Sequence, residues 1–187
     1  MLKELYKIAA KACQDVYNEN TDLGTTEFKL TTVDYFNAKI NILAIAGTNE
    51  TKDWFVNLNL FSKAGLKIGA YRAANEIYES VLPKIYLDGF LMVCGHSKAG
   101  ATAIAFKKLF GADYCITFAP ARSLRYWTNR EMENTTLFID PDDPVSKVGF
   151  LSFGHPKCRI IKAKKNHILP SISDHDIDNW VKFTEKL

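Results

Sequence analysis

Apolar residues fall at Leu2, Leu5, Ile8, Ala9, Ala12 and Val16, positions close to one face of a helix from Leu2 to about Tyr17. The polar, glycine-containing run from Asn18 to Thr25 breaks that pattern. Two strand-like segments follow, Glu27 to Tyr35 and Lys39 to Ala46, around Phe36-Asn37-Ala38. So short a link cannot hold a parallel crossover, which predicts an antiparallel hairpin. The helical period returns between Leu66 and Leu82, with Ile68, Tyr71, Ala74, Ile77, Tyr78 and Val81 on one face and Pro83 ending it.

From Phe90 the pattern becomes strand, turn and helix in direct succession, through Leu91 to Cys94 and on to about Phe110. Tyr114 to Phe118, Thr135 to Ile139 and Arg159 to Ala163 read as further strands, while residues 122–134 are too mixed to assign. Lys164 to Ser173 reads as a loop. Asp174 is placed to cap a closing helix whose inward residues are Ile177, Trp180, Val181 and Phe183. Helix, hairpin and then alternating strands and helices predict an α/β fold, a mainly parallel sheet with an antiparallel beginning and helices on both faces. Its 187 residues suit a single domain, 1–187.

Composition narrows the class. The chain is 47% hydrophobic and 24% charged, the balance of a soluble globular protein. Its formal charge of +3 and the lack of a basic, aromatic-interleaved helix argue against a nucleic-acid partner. The first residues, Met-Leu-Lys-Glu-Leu-Tyr-Lys, do not form a secretory signal, and no apolar run approaches a membrane span. Cys13, Cys94, Cys115 and Cys158 have neither metal-site nor redox spacing, so reduced thiols, a cytoplasmic location and no cofactor or metal are expected.

The chemistry concentrates where the strand from Phe90 meets its helix. Gly95-His96-Ser97-Lys98-Ala99-Gly100 is a turn of the Gly-x-Ser-x-Gly kind, with glycines two residues before and three after the serine. Such a corner raises a serine hydroxyl above the carboxyl ends of the strands, where sheets of this type hold ligands. Ser97 is therefore the candidate nucleophile. Ala99, Ala101, Ala103 and Ala105 let the helix lie close on the sheet.

A serine needs a base, and the base needs an orienting acceptor. Of the four histidines, His96 adjoins Ser97 and its side chain should point elsewhere, and His155 precedes the last strand, at the wrong end of the sheet. His167 and His175 remain, with His175 favoured because it adjoins the closing helix. Asp140, Asp142 and Asp143 all leave the strand that ends at Ile139; Asp143 is favoured because Pro144 restricts its backbone. The Lys98 amide at the helix start can donate to an oxyanion, and Thr48, at the end of the second strand, can supply another donor.

Taken in order, AIAGTNETKDWFVNLN, VCGHSKAG, FIDPDDPVS and SDHDIDNW resemble the class 3 lipase family of α/β-hydrolases, over roughly Lys39 to Trp180. The resemblance implies Ser97 as nucleophile, Asp143 as acid, His175 as base, and Thr48 with the Lys98 amide as the oxyanion site. It also implies that Glu50 to Leu58 corresponds to the family's lid, with Trp54, Phe55 and Leu58 able to cover the site or touch an acyl chain. Lys98 departs from the family's frequent Leu or Gln, and Lys67-Ile68-Gly69-Ala70-Tyr71 from its Val-His-x-Gly-Phe, which turns the expectation away from large triglyceride droplets. The expected activity is that of a serine carboxylic-ester hydrolase, lipase- or phospholipase-like. Its partner is then a small-molecule or lipid ester substrate, with transient membrane contact and no obligate protein partner. The rival readings are a non-catalytic binding protein on the same fold, and hydrolysis of small soluble esters, thioesters or amides.

Overall fold

The computed structural model describes residues 2–18, 28–46, 62–63, 65–85, 89–147, 153–163 and 175–187. Helix α1 (Leu2–Asn18) is followed by β1 (Phe28–Tyr35) and β2 (Ala38–Ile45), and then by the two-residue strands β3 (Ser62–Lys63) and β4 (Leu66–Lys67). Helix α2 (Ile68–Val81), strand β5 (Phe90–His96), helix α3 (Lys98–Phe110) and strand β6 (Tyr114–Phe118) come next. The chain continues through β7 (Leu124–Arg125), β8 (Glu131–Ile139), β9 (Phe153–Gly154), β10 (Lys157–Lys162) and α4 (Ile177–Glu185).

Six strands form the central sheet in the order β1-β2-β5-β6-β8-β10. Its first pair is the predicted hairpin, antiparallel from Phe28 opposite Ile45 to Tyr35 opposite Ala38. Every later pairing is parallel. The period-two alternation of the inner strands divides the core between the two faces. Leu43, Ile45, Val93 and Cys115 pack toward α2 and α3, while Ile42, Ala44, Met92, Cys94, Ile116 and Phe138 pack toward α1 and α4. On the first face the small residues of α3 lie flat, and Tyr78 of α2 stacks on Phe110 with ring centroids 3.9 Å apart. On the second, Trp180 of α4 meets Phe138 edge-on at 6.0 Å, and Gln14 of α1 donates to Asp178 of α4 at 2.7 Å.

Several boundaries differ from the pattern-based expectation. Leu66 and Lys67 do not open a helix: Leu66, fully buried, pairs with Leu124 in a second, four-stranded sheet, β3-β4-β7-β9. Two-residue strands carry no readable period, so this sheet is invisible in the sequence. Strand β8 starts four residues before Thr135, across Glu131-Met132-Glu133-Asn134, where polar residues mask it. The last strand runs Lys157–Lys162 rather than from Arg159 to Ala163. The cap of α4 is Asp176, not Asp174: its carboxylate accepts the Asp178 N–H at 3.1 Å.

Cys13, Cys94, Cys115 and Cys158 are free thiols; burial pushes Cys13 and Cys115 up and raises Cys158 to about 12, which makes all three poor nucleophiles. Among the described residues no helix is long and apolar enough to cross a membrane.

Candidate active site

Ser97 joins β5 to α3 with φ 62° and ψ −128°, a backbone shape that costs a non-glycine residue about 1–3 kcal/mol. Neighbouring strands and loops hold it there. The Ser97 N–H donates to the Phe118 carbonyl at 2.9 Å, and the Ser97 carbonyl accepts from the amides of Gly100 at 3.1 Å and Ala121 at 3.3 Å. The glycines are required by contact. A β-carbon on Gly95 would lie 2.6 Å from the Ala99 carbonyl group, and one on Gly100 would lie 2.8 Å from the Pro120 ring. The second position after the serine, glycine in the strict motif, is Ala99, and its side chain is accommodated in the core.

Asp143 follows β8 and is fully buried. The turn that carries it is built by its neighbours: the Asp140 carboxylate accepts the Asp142 N–H at 2.8 Å, and the Asp140 carbonyl accepts the Asp143 N–H at 3.2 Å. One Asp143 oxygen accepts the Val145 N–H at 2.8 Å, and the other faces Nδ1 of His175 at 2.7 Å. Asp140 thus shapes the turn, and Asp143 is the carboxylate that meets a histidine. His175 stands just ahead of the α4 cap and is 7% exposed. A carboxylate accepts, so Nδ1 carries a hydrogen and donates it to Asp143.

The ring of His96 is turned toward α1 and α4. It lies 4.6 Å from the His175 ring, with Nδ1 3.2 Å from the Tyr17 hydroxyl and Nε2 2.5 Å from the His175 carbonyl. Burial first, and then the neighbouring His175, lower its pKa from 6.5 to about 3. The sequence signal that could have found this contact is a histidine inside an otherwise apolar strand, since a buried imidazole must find partners. His155 places Nε2 2.9 Å from the Ser146 carbonyl; burial, reinforced by Arg122 and Arg130, lowers its pKa to about 4.

Lys98 heads α3 with its side chain exposed, and its amide is one of the first helical N–H groups, which have no acceptor within the helix. Lys67 donates its N–H to the Ser123 carbonyl at 2.9 Å. Burial, and then Lys98, lower its pKa. Thr48, His167 and the stretch Glu50 to Leu58, with Trp54, Phe55 and Leu58, lie outside the described residues. Among the described residues no three His, Cys, Asp or Glu side chains gather as a metal site would require.

The sequence matches no family model and no curated protein. Solved structures do match. The Rhizomucor miehei lipase in its propeptide complex superposes with a TM-score of 0.59 at 15% identity, over 84% of this chain and 65% of that one. The chain therefore spans just under two thirds of that lipase's length. Lip2 lipase of Yarrowia lipolytica gives 0.60 at 15% identity, over 91% and 81%. MDLA of Penicillium cyclopium gives 0.54 at 18%, over 91% and 82%. At identities of 15–18% what is shared is architecture, and the chain carries the α/β-hydrolase fold in the form seen in fungal lipases.

Proposed function

We propose that the chain is a serine carboxylic-ester hydrolase that works through an acyl-enzyme, with Ser97 as nucleophile, His175 as base and Asp143 as the acid that orients it. One observation carries this reading: a buried carboxylate holds Nδ1 of His175 at 2.7 Å, in the fold that sets Ser97 on a strained strand-to-helix corner. With its hydrogen on Nδ1, His175 takes the Ser97 proton at Nε2 as the hydroxyl attacks the ester carbonyl. The imidazolium then protonates the leaving alcohol, and the same nitrogen activates water to release the acid. The Lys98 amide and Thr48 are the proposed oxyanion donors.

The edge beside Ser97 carries two lysines, exposed Lys98 and half-buried Lys67. Such an edge suits esters with a polar or anionic portion, phospholipid or lysophospholipid, better than neutral triglyceride. Glu50 to Leu58 is proposed as the segment that covers the acyl chain.

A fluorophosphonate probe followed by peptide mapping tests the nucleophile. The label is expected on Ser97, with Ser97→Ala abolishing both label and turnover of a short p-nitrophenyl ester. Full turnover by a contaminant-free Ser97→Ala protein would rule the mechanism out. Removing one oxyanion donor in a serine hydrolase costs about 10²- to 10³-fold in kcat, and Thr48→Ala should cost less because its backbone N–H persists. A panel pairing acyl length with neutral and phosphate-bearing head groups tests the substrate class.

A further inference from the structure

His96 adjoins the candidate nucleophile yet makes its contacts with the candidate base. Its Nε2 lies 2.5 Å from the carbonyl of His175, and a carbonyl can only accept, so the His96 hydrogen is on Nε2. A neutral imidazole has one N–H; Nδ1 is therefore an acceptor, and the Tyr17 hydroxyl donates to it at 3.2 Å. The bonds run in one direction, from Tyr17 through His96 to the His175 backbone. Burial keeps His96 neutral, so it brings no competing charge to the imidazole beside it.

The anchored carbonyl matters because of where it sits. His175 stands one residue before the Asp176 cap, outside the hydrogen-bond ladder of α4. Its ring is held through Nδ1 by Asp143, and its main chain through the carbonyl by His96. Tyr17 lies in the last turn of α1, and Gln14, one turn earlier, donates to Asp178 in the first turn of α4. The helix that holds His96 thus also holds the helix that follows His175.

We infer that His96, backed by Tyr17, is a positioning residue: it pins the His175 main chain so that the imidazole bonded to Asp143 keeps the single orientation from which Nε2 can serve Ser97. This rests on the hydrolase reading for its catalytic consequence, while the pinning itself has a readout independent of turnover.

The experiment compares His96→Phe, His96→Gln and Tyr17→Phe with the wild type. A short neutral ester gives kcat and KM, and proton NMR of the hydrogen-bonded Nδ1–H of His175 reports the pinning. Phenylalanine keeps an aromatic ring without a donor, whereas the glutamine amide restores a donor near the place of Nε2. His96→Phe should lower kcat by about 10²-fold, the scale of a misplaced catalytic group, with KM little changed. Its Nδ1–H resonance should broaden through faster exchange. His96→Gln should recover most of both, and Tyr17→Phe should show a smaller loss in the same direction. Wild-type kcat and a sharp resonance in His96→Phe would overturn the inference, as would a folded His96→Gln no better than His96→Phe. Should His96→Phe not fold, Tyr17→Phe decides in its place: reduced kcat and faster Nδ1–H exchange support the inference, and wild-type values overturn it. A wild-type protein that neither labels nor turns over ester defeats the hydrolase reading alone, and the NMR comparison still decides whether His96 holds His175.

Discussion

Ser97 occupies its corner because the surrounding residues leave room for nothing else. Gly95 lies against the Ala99 carbonyl group, so Gly95→Ala must push the start of α3 off the sheet. The expected cost is that of overpacking, about 1–3 kcal/mol, seen as a lower denaturation midpoint. Fluorophosphonate labelling should fall by more than the loss of folded protein explains, because the corner itself moves. The Asp143–His175 contact of the candidate site agrees with what residue order suggests. Ser97 was marked by its glycines, Asp143 by its place before Pro144, and His175 by its place ahead of the last helix. His96 is legible only in part: adjacency to Ser97 turns its ring elsewhere, but nothing in the sequence names the Tyr17 hydroxyl or the His175 carbonyl as its destination. Such partners arise from the packing of α1 and α4, which a local pattern does not encode.

Among the elements, α4 ties the candidate base to the body of the sheet. Asp176 caps it through the Asp178 N–H, and replacing such a cap with alanine costs about 1 kcal/mol. Asp176→Ala should therefore lower the thermal midpoint by a few degrees, with circular dichroism as the readout. The helix was legible from Ile177, Trp180 and Phe183. Its cap was not, because Asp174, Asp176 and Asp178 alternate there and a capping rule cannot choose among them. The same reasoning separates the strands. β2, β5 and β6 are apolar runs with clear boundaries, whereas the first half of β8 is polar and reaches past the β6 pairing, which begins at Thr135.

For the whole molecule, buried His96 and half-buried His155 make stability depend on acid. His96 titrates at about 3 and His155 at about 4 in the folded protein, against 6.5 ordinarily. Below pH 6.5 the unfolded chain takes up protons that the folded chain refuses, so their contribution to stability falls with pH until it levels near 3 to 4. Each histidine contributes a slope of up to about 1.4 kcal/mol per pH unit in that window. Urea titrations between pH 7 and 4 should show the midpoint dropping, and His96→Gln should make the drop shallower; an unchanged slope would contradict the assignment of His96 as neutral.

The wrapping of α1 against α4 also has a consequence for the protein as it is made. Synthesis from the amino end makes Tyr17 before Ser97, Ser97 before Asp143 and Asp143 before His175. Until His175 is made and docks, Ser97 lacks the imidazole proposed as its proton acceptor, so on the hydrolase proposal the order of synthesis itself delays the assembly of the pair.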